Sequence, residues 1–249
     1  MIIIVLPAYN EKREIPILLK RIDGFMKTNR LDYKVIAVND GSTDGTRKVI
    51  DDLANLYPLT KVHFEKNLGV GSVVRTGLKL AMEMSTDDED VIVTMDADNT
   101  HDPKIIKMIL RKIEEGYEVV VPSYFCSGGM LIGLPFRKYF FSRVANFLYQ
   151  VLFPVKGLRS YTGFYKGYKA GALKLAMEKF KDKLVESQGF AAMAELLIKL
   201  RRTPLFIAEV PMILRYDYKG EKSKLKVLPT IKEHLRVISK NLFTRDIMT

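Results

Sequence analysis

The chain has a single cysteine, Cys126, among its 249 residues. One thiol can neither close an internal disulfide nor build a thiolate metal cluster, which excludes a disulfide-stapled secreted scaffold and a zinc finger. Long apolar runs are also missing. The longest, over residues 144–155, is interrupted by Asn146 and Gln150. It falls short of the roughly 18 residues that a membrane-spanning helix needs, so no transmembrane helix is expected. The apolar start, residues 1–7, has no basic leader and is too short for a signal-peptide core, so it reads as a buried strand. There is no internal repeat and no low-complexity linker. Acidic residues are absent throughout 119–177, a stretch that carries Arg137, Lys138, Arg143, Lys156, Arg159, Lys166, Lys169 and Lys174. An ordinary surface mixes both signs of charge, so this segment is set apart.

What is present describes a folded protein. Hydrophobic residues make up 47% and charged residues 28%, which excludes a disordered or collagenous chain. The length fits one large domain, or a core with an appendage. Lys and Arg outnumber Asp and Glu by 40 to 29, a net +11 that suggests a polyanionic partner: nucleic acid, a phosphorylated substrate or anionic lipid. No recognition-helix or base-stacking motif accompanies the basic patch, so no nucleic-acid partner is expected.

β-rich runs at 2–6, 33–38, 61–65, 91–95 and 118–121 alternate with segments of helical period, a βαβ pattern that predicts an α/β, mostly parallel sheet flanked by helices. Ser42-Thr43-Asp44 and Asp102-Pro103 mark helix starts. Ligands in such sheets sit outside the carboxyl ends of the strands, so the polar loops 7–11, 39–44 and 96–101 should meet at one crevice. In the second half, 139–153 reads as a helix with Arg143, Asn146 and Gln150 in a narrow polar stripe against a wide aromatic face. Residues 188–202 read as a helix, 205–215 as a strand, and 225–241 as an amphipathic helix preceded by Lys219, Lys222 and Lys224.

Asp96-Ala97-Asp98 follows the apolar strand at 91–95 and places two carboxylates at a strand end. Two hard oxygen ligands suit a divalent cation that keeps waters and binds substrate phosphates. A turn that uses Asp only for its own backbone hydrogen bonds is the plainer reading. Asp96-Ala-Asp98-Asn-Thr100 also resembles the phosphatase motif of the haloacid dehalogenase type, but that motif ends a first strand and needs a later acidic pair. Asn67-Leu-Gly69-Val-Gly71 resembles a phosphate-cradling loop, yet Val74 stands where a third glycine belongs, so the loop is expected to shape the crevice.

Together, 7–11, 38–46, 67–71 and 96–103 resemble, in order and spacing, the GT-A family 2 glycosyltransferases. The stretches 189–196, 209–211 and 215–225 resemble the dolichyl-phosphate mannose synthase branch. The resemblance implies a GT-A, Rossmann-like domain over 1–217, with a nucleotide-sugar half at 1–122 and an acceptor half at 123–217. Residues 218–249 would then be a basic, amphipathic carboxyl-terminal helix region. It further implies that Pro7, Tyr9, Glu11, Val38, Asp40, Asp96 and Ala97 bind the nucleotide, and that Asp96 and Asp98 hold Mg²⁺ or Mn²⁺. Asp98, Arg137 and Arg215 would be catalytic, while Ser142, Arg143, Ser223 and Lys224 would bind phosphate and acceptor. Guanidinium groups suit that task because they fork onto phosphate oxygens.

The function so implied is metal-dependent transfer of a sugar, GDP-mannose being the favoured donor, to a polyprenyl or dolichyl phosphate. The protein would sit peripherally on the cytoplasmic face of an anionic membrane, with room for a separate membrane-anchoring subunit. UDP-glucose or another donor, a soluble hydroxyl acceptor, and a non-catalytic nucleotide-binding or scaffolding role are the alternatives. Four positions depart from the family pattern: Asn39 for Asp, Tyr124 for Arg, Arg159-Ser160 in place of an Asp, and Tyr165 for Arg. His63 and His234 lack metal-ligand spacing and are expected to pack, whereas His101 follows the acidic loop and either touches ligand or shapes the turn.

Overall fold

The computed structural model describes residues 1–218 and 227–242. In chain order the elements are β1 (Ile2–Ala8), α1 (Glu14–Thr28), β2 (Tyr33–Asn39), α2 (Thr46–Leu53), β3 (Leu59–His63), α3 (Val70–Met84), β4 (Val91–Thr94), α4 (Ile105–Glu114) and β5 (Val119–Ser123). There follow β6 (Met130–Ile132), α5 (Phe136–Leu152), β7 (Lys166–Lys169), α6 (Ala170–Phe180), α7 (Ala192–Leu200), β8 (Ile207–Pro211), β9 (Ile213–Arg215) and α8 (Val227–Leu242).

Among the described residues, seven strands form one sheet in the order β3-β2-β1-β4-β7-β5-β8, and β6 pairs with β9 in a small parallel ribbon. All contacts in the large sheet are parallel except those of β7, which runs antiparallel to β4 and β5. The expected α/β, mostly parallel architecture is therefore present. β1 can be apolar at almost every position because both of its faces are covered. Ile3 and Val5 enter the core beneath α3, α6 and α7, whereas Ile2, Ile4 and Leu6 enter the one beneath α1 and α4. β7 is a strand that the sequence reading did not contain. It links β4 to β5, so the second half of the chain completes the sheet of the first.

Two helices differ from expectation. The one expected at 188–202 begins only at Ala192, because Glu195 Oε2 accepts the N–H groups of Glu186 and Ser187, and Glu233 of α8 accepts those of Gly189 and Ala191. Residues 186–191 are thereby held as a loop. α5 begins at Phe136, and its polar stripe is corrected: Asn146 is buried, not solvent-facing. Its amide oxygen accepts the N–H groups of Tyr161 and Thr162, and its amide nitrogen donates to Ser142 O and Thr162 Oγ1. Tyr149 turns the same way and stacks on Tyr161. The aromatic face points outward, with Phe136 77%, Phe147 61% and Val151 60% exposed.

Candidate active site

The carboxyl ends of β1, β2 and β4 open into a cavity of about 560 Å³. Its walls include Pro7, Tyr9, Glu11, Asp40, Asp96, Ala97 and Asp98, which the topology gathers from three loops. Side chains zip the first two loops together. Ser42 Oγ accepts the Asn10 N–H, Asn10 Oδ1 accepts the Thr43 N–H, and Thr46 Oγ1 accepts the Glu11 N–H. Asn39 is buried where its amide nitrogen donates to His63 Nδ1 at 3.2 Å and its oxygen accepts the Ser42 N–H. An amide serves both partners at once, donating to one and accepting from the other.

Asp40 joins the second loop to the glycine loop at 67–71. Its carboxylate accepts the N–H groups of Leu68 at 2.7 Å and Gly69 at 3.0 Å. Burial pushes its pKa up, and the two amides act against that shift. Gly69 and Gly71 serve close approach: a Cβ on either would collide with the main chain of 187–188, and the Gly71 N–H donates to Gln188 O. Val38 lies away from the cavity, packed in the core beneath α3.

The acidic turn is built with care. Asp98 Oδ1 accepts the N–H and hydroxyl of Thr100, and the Asp96 N–H donates to His101 Nδ1 at 3.3 Å. His101 is buried against Tyr165, so it shapes the turn while lining the cavity. Asn99 adopts a left-handed conformation and is held from behind by Arg21 of α1. Nothing near Arg21 in the sequence signals this role. Among the described residues no cluster of three His, Cys, Asp or Glu side chains converges as a self-sufficient metal site. Two carboxylates on a cavity wall nevertheless fit a Mg²⁺ or Mn²⁺ ion whose remaining ligands are waters and phosphate oxygens.

The opposite wall comes from the second half: Tyr124, Ser160, Thr162, Gly163, Phe164 and Tyr165. Tyr124 and Ser142 share a hydrogen bond of 2.9 Å. Glu209 of β8 belongs to a stretch that carries the resemblance but had no site role assigned; it accepts the N–H groups of Arg159 and Ser160, so a carboxylate from a distant strand stands beside the position where the family pattern has its Asp. Burial raises its pKa. The expected arginines are less central. Arg137 is exposed at the start of α5 and Arg143 stacks over Phe125; neither lines this cavity. Arg215 forms a two-point ion pair with Asp217, while its own N–H reaches Thr100 O. Ser223 and Lys224 lie outside the described residues.

The sequence profile described as "Glycosyl transferase family 2" matches residues 3–175. A dolichol-phosphate mannosyltransferase of Pyrococcus furiosus is 30% identical over 236 residues, which cover 94% of this chain and 62% of that protein. A polyprenol monophosphomannose synthase of Mycolicibacterium smegmatis is 26% identical over 212 residues, 84% of this chain and 76% of that one. Among solved structures, the glucosyl-3-phosphoglycerate synthase of Mycobacterium tuberculosis in complex with Mn²⁺, UDP and phosphoglyceric acid matches with a TM-score of 0.66 at 19% identity, covering 100% of this chain and 79% of that one. The shared architecture is the GT-A fold.

Proposed function

The chain belongs to glycosyl transferase family 2, and we propose that it transfers a hexosyl group, mannose from GDP-mannose before others, to a polyprenyl or dolichyl phosphate in a divalent-cation-dependent reaction. One observation carries the reading. Asp96 and Asp98 share a cavity with Pro7, Tyr9, Glu11 and Asp40, so a cation-diphosphate and its nucleoside have adjoining walls. The acceptor class is favoured by the two relatives whose names state mannosyl transfer to a lipid phosphate.

In this reading Pro7, Tyr9, Glu11 and Asp40 bind the nucleoside, with acceptor oxygens on Glu11 and Asp40 facing base N–H groups. Asp96 and Asp98 hold the cation, which would supply positive charge to the departing diphosphate. Thr100 and Arg21 keep the acidic turn in place before donor arrives, which is preorganisation of the kind that lowers a barrier. Arg215 and Arg137 act from the rim, Arg215 after exchanging part of its pairing with Asp217. A phosphate acceptor is already anionic at neutral pH and needs no strong base. Ser160 and Thr162 give its side of the cavity hydroxyl groups.

No helix among the described residues is long and apolar enough to cross a membrane. The outward aromatic face of α5, beside Arg137 and Arg143, favours peripheral docking at the inner leaflet, with acyl chains receiving the apolar side chains. The deciding experiment incubates the protein with a panel of nucleotide sugars, Mg²⁺ or Mn²⁺, and a short polyprenyl phosphate. Mannolipid from GDP-mannose, lost on chelation, is expected. Product from UDP-glucose alone would move the donor assignment, and absence of glycolipid from every donor would overturn the reading.

A further inference from the structure

Lys166 is a charged side chain with 0% exposure in the middle of the large sheet. Its Nζ donates to the main-chain carbonyls of Tyr161 and Gly163. Those residues bracket Thr162, and both Thr162 and Gly163 line the cavity, so the ammonium lies just beneath that wall. Across the sheet Lys166 is paired with Thr94, two residues before Asp96. Thr94 Oγ1 in turn donates to Phe164 O at 2.7 Å, which ties the same turn to β4. Burial lowers the Lys166 pKa to about 7, and the charge of Asp96 acts on it in the opposite direction.

The charge around the cavity gives this lysine its meaning. Glu11, Asp40, Asp96 and Asp98 line it, and among the described residues no Lys or Arg does. A diphosphate entering there meets like charge on several sides. A buried ammonium is costly, and an apolar side chain of similar volume would fill the same space without that cost. The position nevertheless holds a lysine.

We propose that Lys166 is the internal counter-charge of the acidic turn, a positioning residue that offsets Asp96 so that an anionic diphosphate settles with its cation between the carboxylates. This rests on the metal-diphosphate reading above. Lys166 acts through Asp96 and the 161–163 turn and touches neither substrate. A fixed cation in this place affects two ligands oppositely. It repels a bare divalent cation approaching Asp96, and it attracts the diphosphate. A side chain that only holds the turn would move both affinities the same way.

Lys166→Gln keeps N–H donors for the two carbonyls and removes the charge; Lys166→Met removes both and carries the test if the glutamine variant does not fold. Calorimetric titrations at pH 6, where the wild-type ammonium is protonated, follow Mn²⁺ alone and then a nucleoside diphosphate in saturating Mn²⁺. Thermal melts report folding. In the folded variant, Mn²⁺ alone is expected to bind more tightly and the diphosphate more weakly, each by about 3- to 10-fold. Two affinities that stay unchanged, or that weaken together, overturn the proposal. A wild-type protein that binds no Mn²⁺, with or without nucleotide, overturns the metal reading and this inference with it.

Discussion

The guanidinium of Arg21 on α1 donates to both the side-chain oxygen of Asn99, at 2.5 Å, and its backbone carbonyl, at 3.2 Å, across a sequence separation of 78 residues. Asn99 directly follows Asp98 in the acidic turn and has a φ of 62°, so this clamp holds the turn in a conformation that few residues adopt unaided. Arg21→Met is expected to weaken cation-dependent nucleotide binding by about 3- to 10-fold, while costing about 1 kcal/mol of stability. Calorimetry and a urea melt check the two effects. A variant with wild-type nucleotide affinity would show that the loop needs no clamp.

Asp98 is the better shielded of the two acidic side chains, with Thr100 donating twice to one of its oxygens. Asp98→Asn keeps that local bonding but lowers the charge of the site. Nucleoside diphosphate binding in the presence of Mn²⁺ should fall by at least about 10- to 100-fold, the loss that removing even an outer-shell partner of a metal ligand brings. The circular dichroism spectrum should stay unchanged. Undiminished binding would remove Asp98 from the metal site.

His234 joins α8 to α5: its Nδ1 and the Tyr149 hydroxyl share a hydrogen bond of 2.8 Å, with Glu233 the charged neighbour that acts on it. Burial depresses its pKa below 6.5. The unfolded chain therefore takes up the proton first as the pH falls. Stability contributed by the neutral imidazole is complete above pH 6.5 and is lost as the pH drops through the depressed folded-state value. Melting temperature measured from pH 8 to pH 5 should decline on the acid side in the wild type, and less steeply in His234→Gln. Parallel profiles for the two proteins would mean that other groups set the acid response.

Phe140 and Phe147 are exposed on the outer face of α5, so replacing both with Asp should leave the fold intact. Flotation with anionic liposomes tests the face directly. Wild type should float at low salt and less at high salt, since the basic side chains contribute on the order of 1 kcal/mol each near an anionic surface. The double variant should remain in the unbound fraction. Failure of the wild type to float with any vesicle would leave α5 without a membrane role.

The parts of this protein that could be read from sequence are those whose cause is local. Apolar runs such as Val91–Thr94 declare buried strands, and Asp96-Ala97-Asp98 follows immediately, so the acidic turn and its place in the fold were both legible. β7 was not, because Lys166–Lys169 carries a lysine at each end and a glycine within four residues, and only its two flanking strands make it a strand. Asn146 misled for a similar reason. On a helix a polar side chain ordinarily marks the wet face, but here it satisfies the buried N–H groups of Tyr161 and Thr162, a demand set from 15 and 16 residues away. Arg21 and Glu209 likewise act on loops that the chain brings near only after folding.

The pairing of β5 with β7 has an evolutionary consequence. Val119 and Val120 lie opposite Tyr168 and Gly167, so residues 124–165 leave the sheet and return to it at neighbouring positions. That excursion carries α5 and most of the wall facing the acidic turn, and it also sends Tyr149, Phe153, Tyr161 and Phe164 into the core against the sheet. Lengthening or shortening its exposed parts would, on the proposed function, alter the wall that faces the acceptor while β1, β2 and β4 keep their pairing. On the proposed function, a graft between relatives joined at β5 and β7 that carries its own four core aromatics should keep the donor preference of the host and take on the acceptor of the guest.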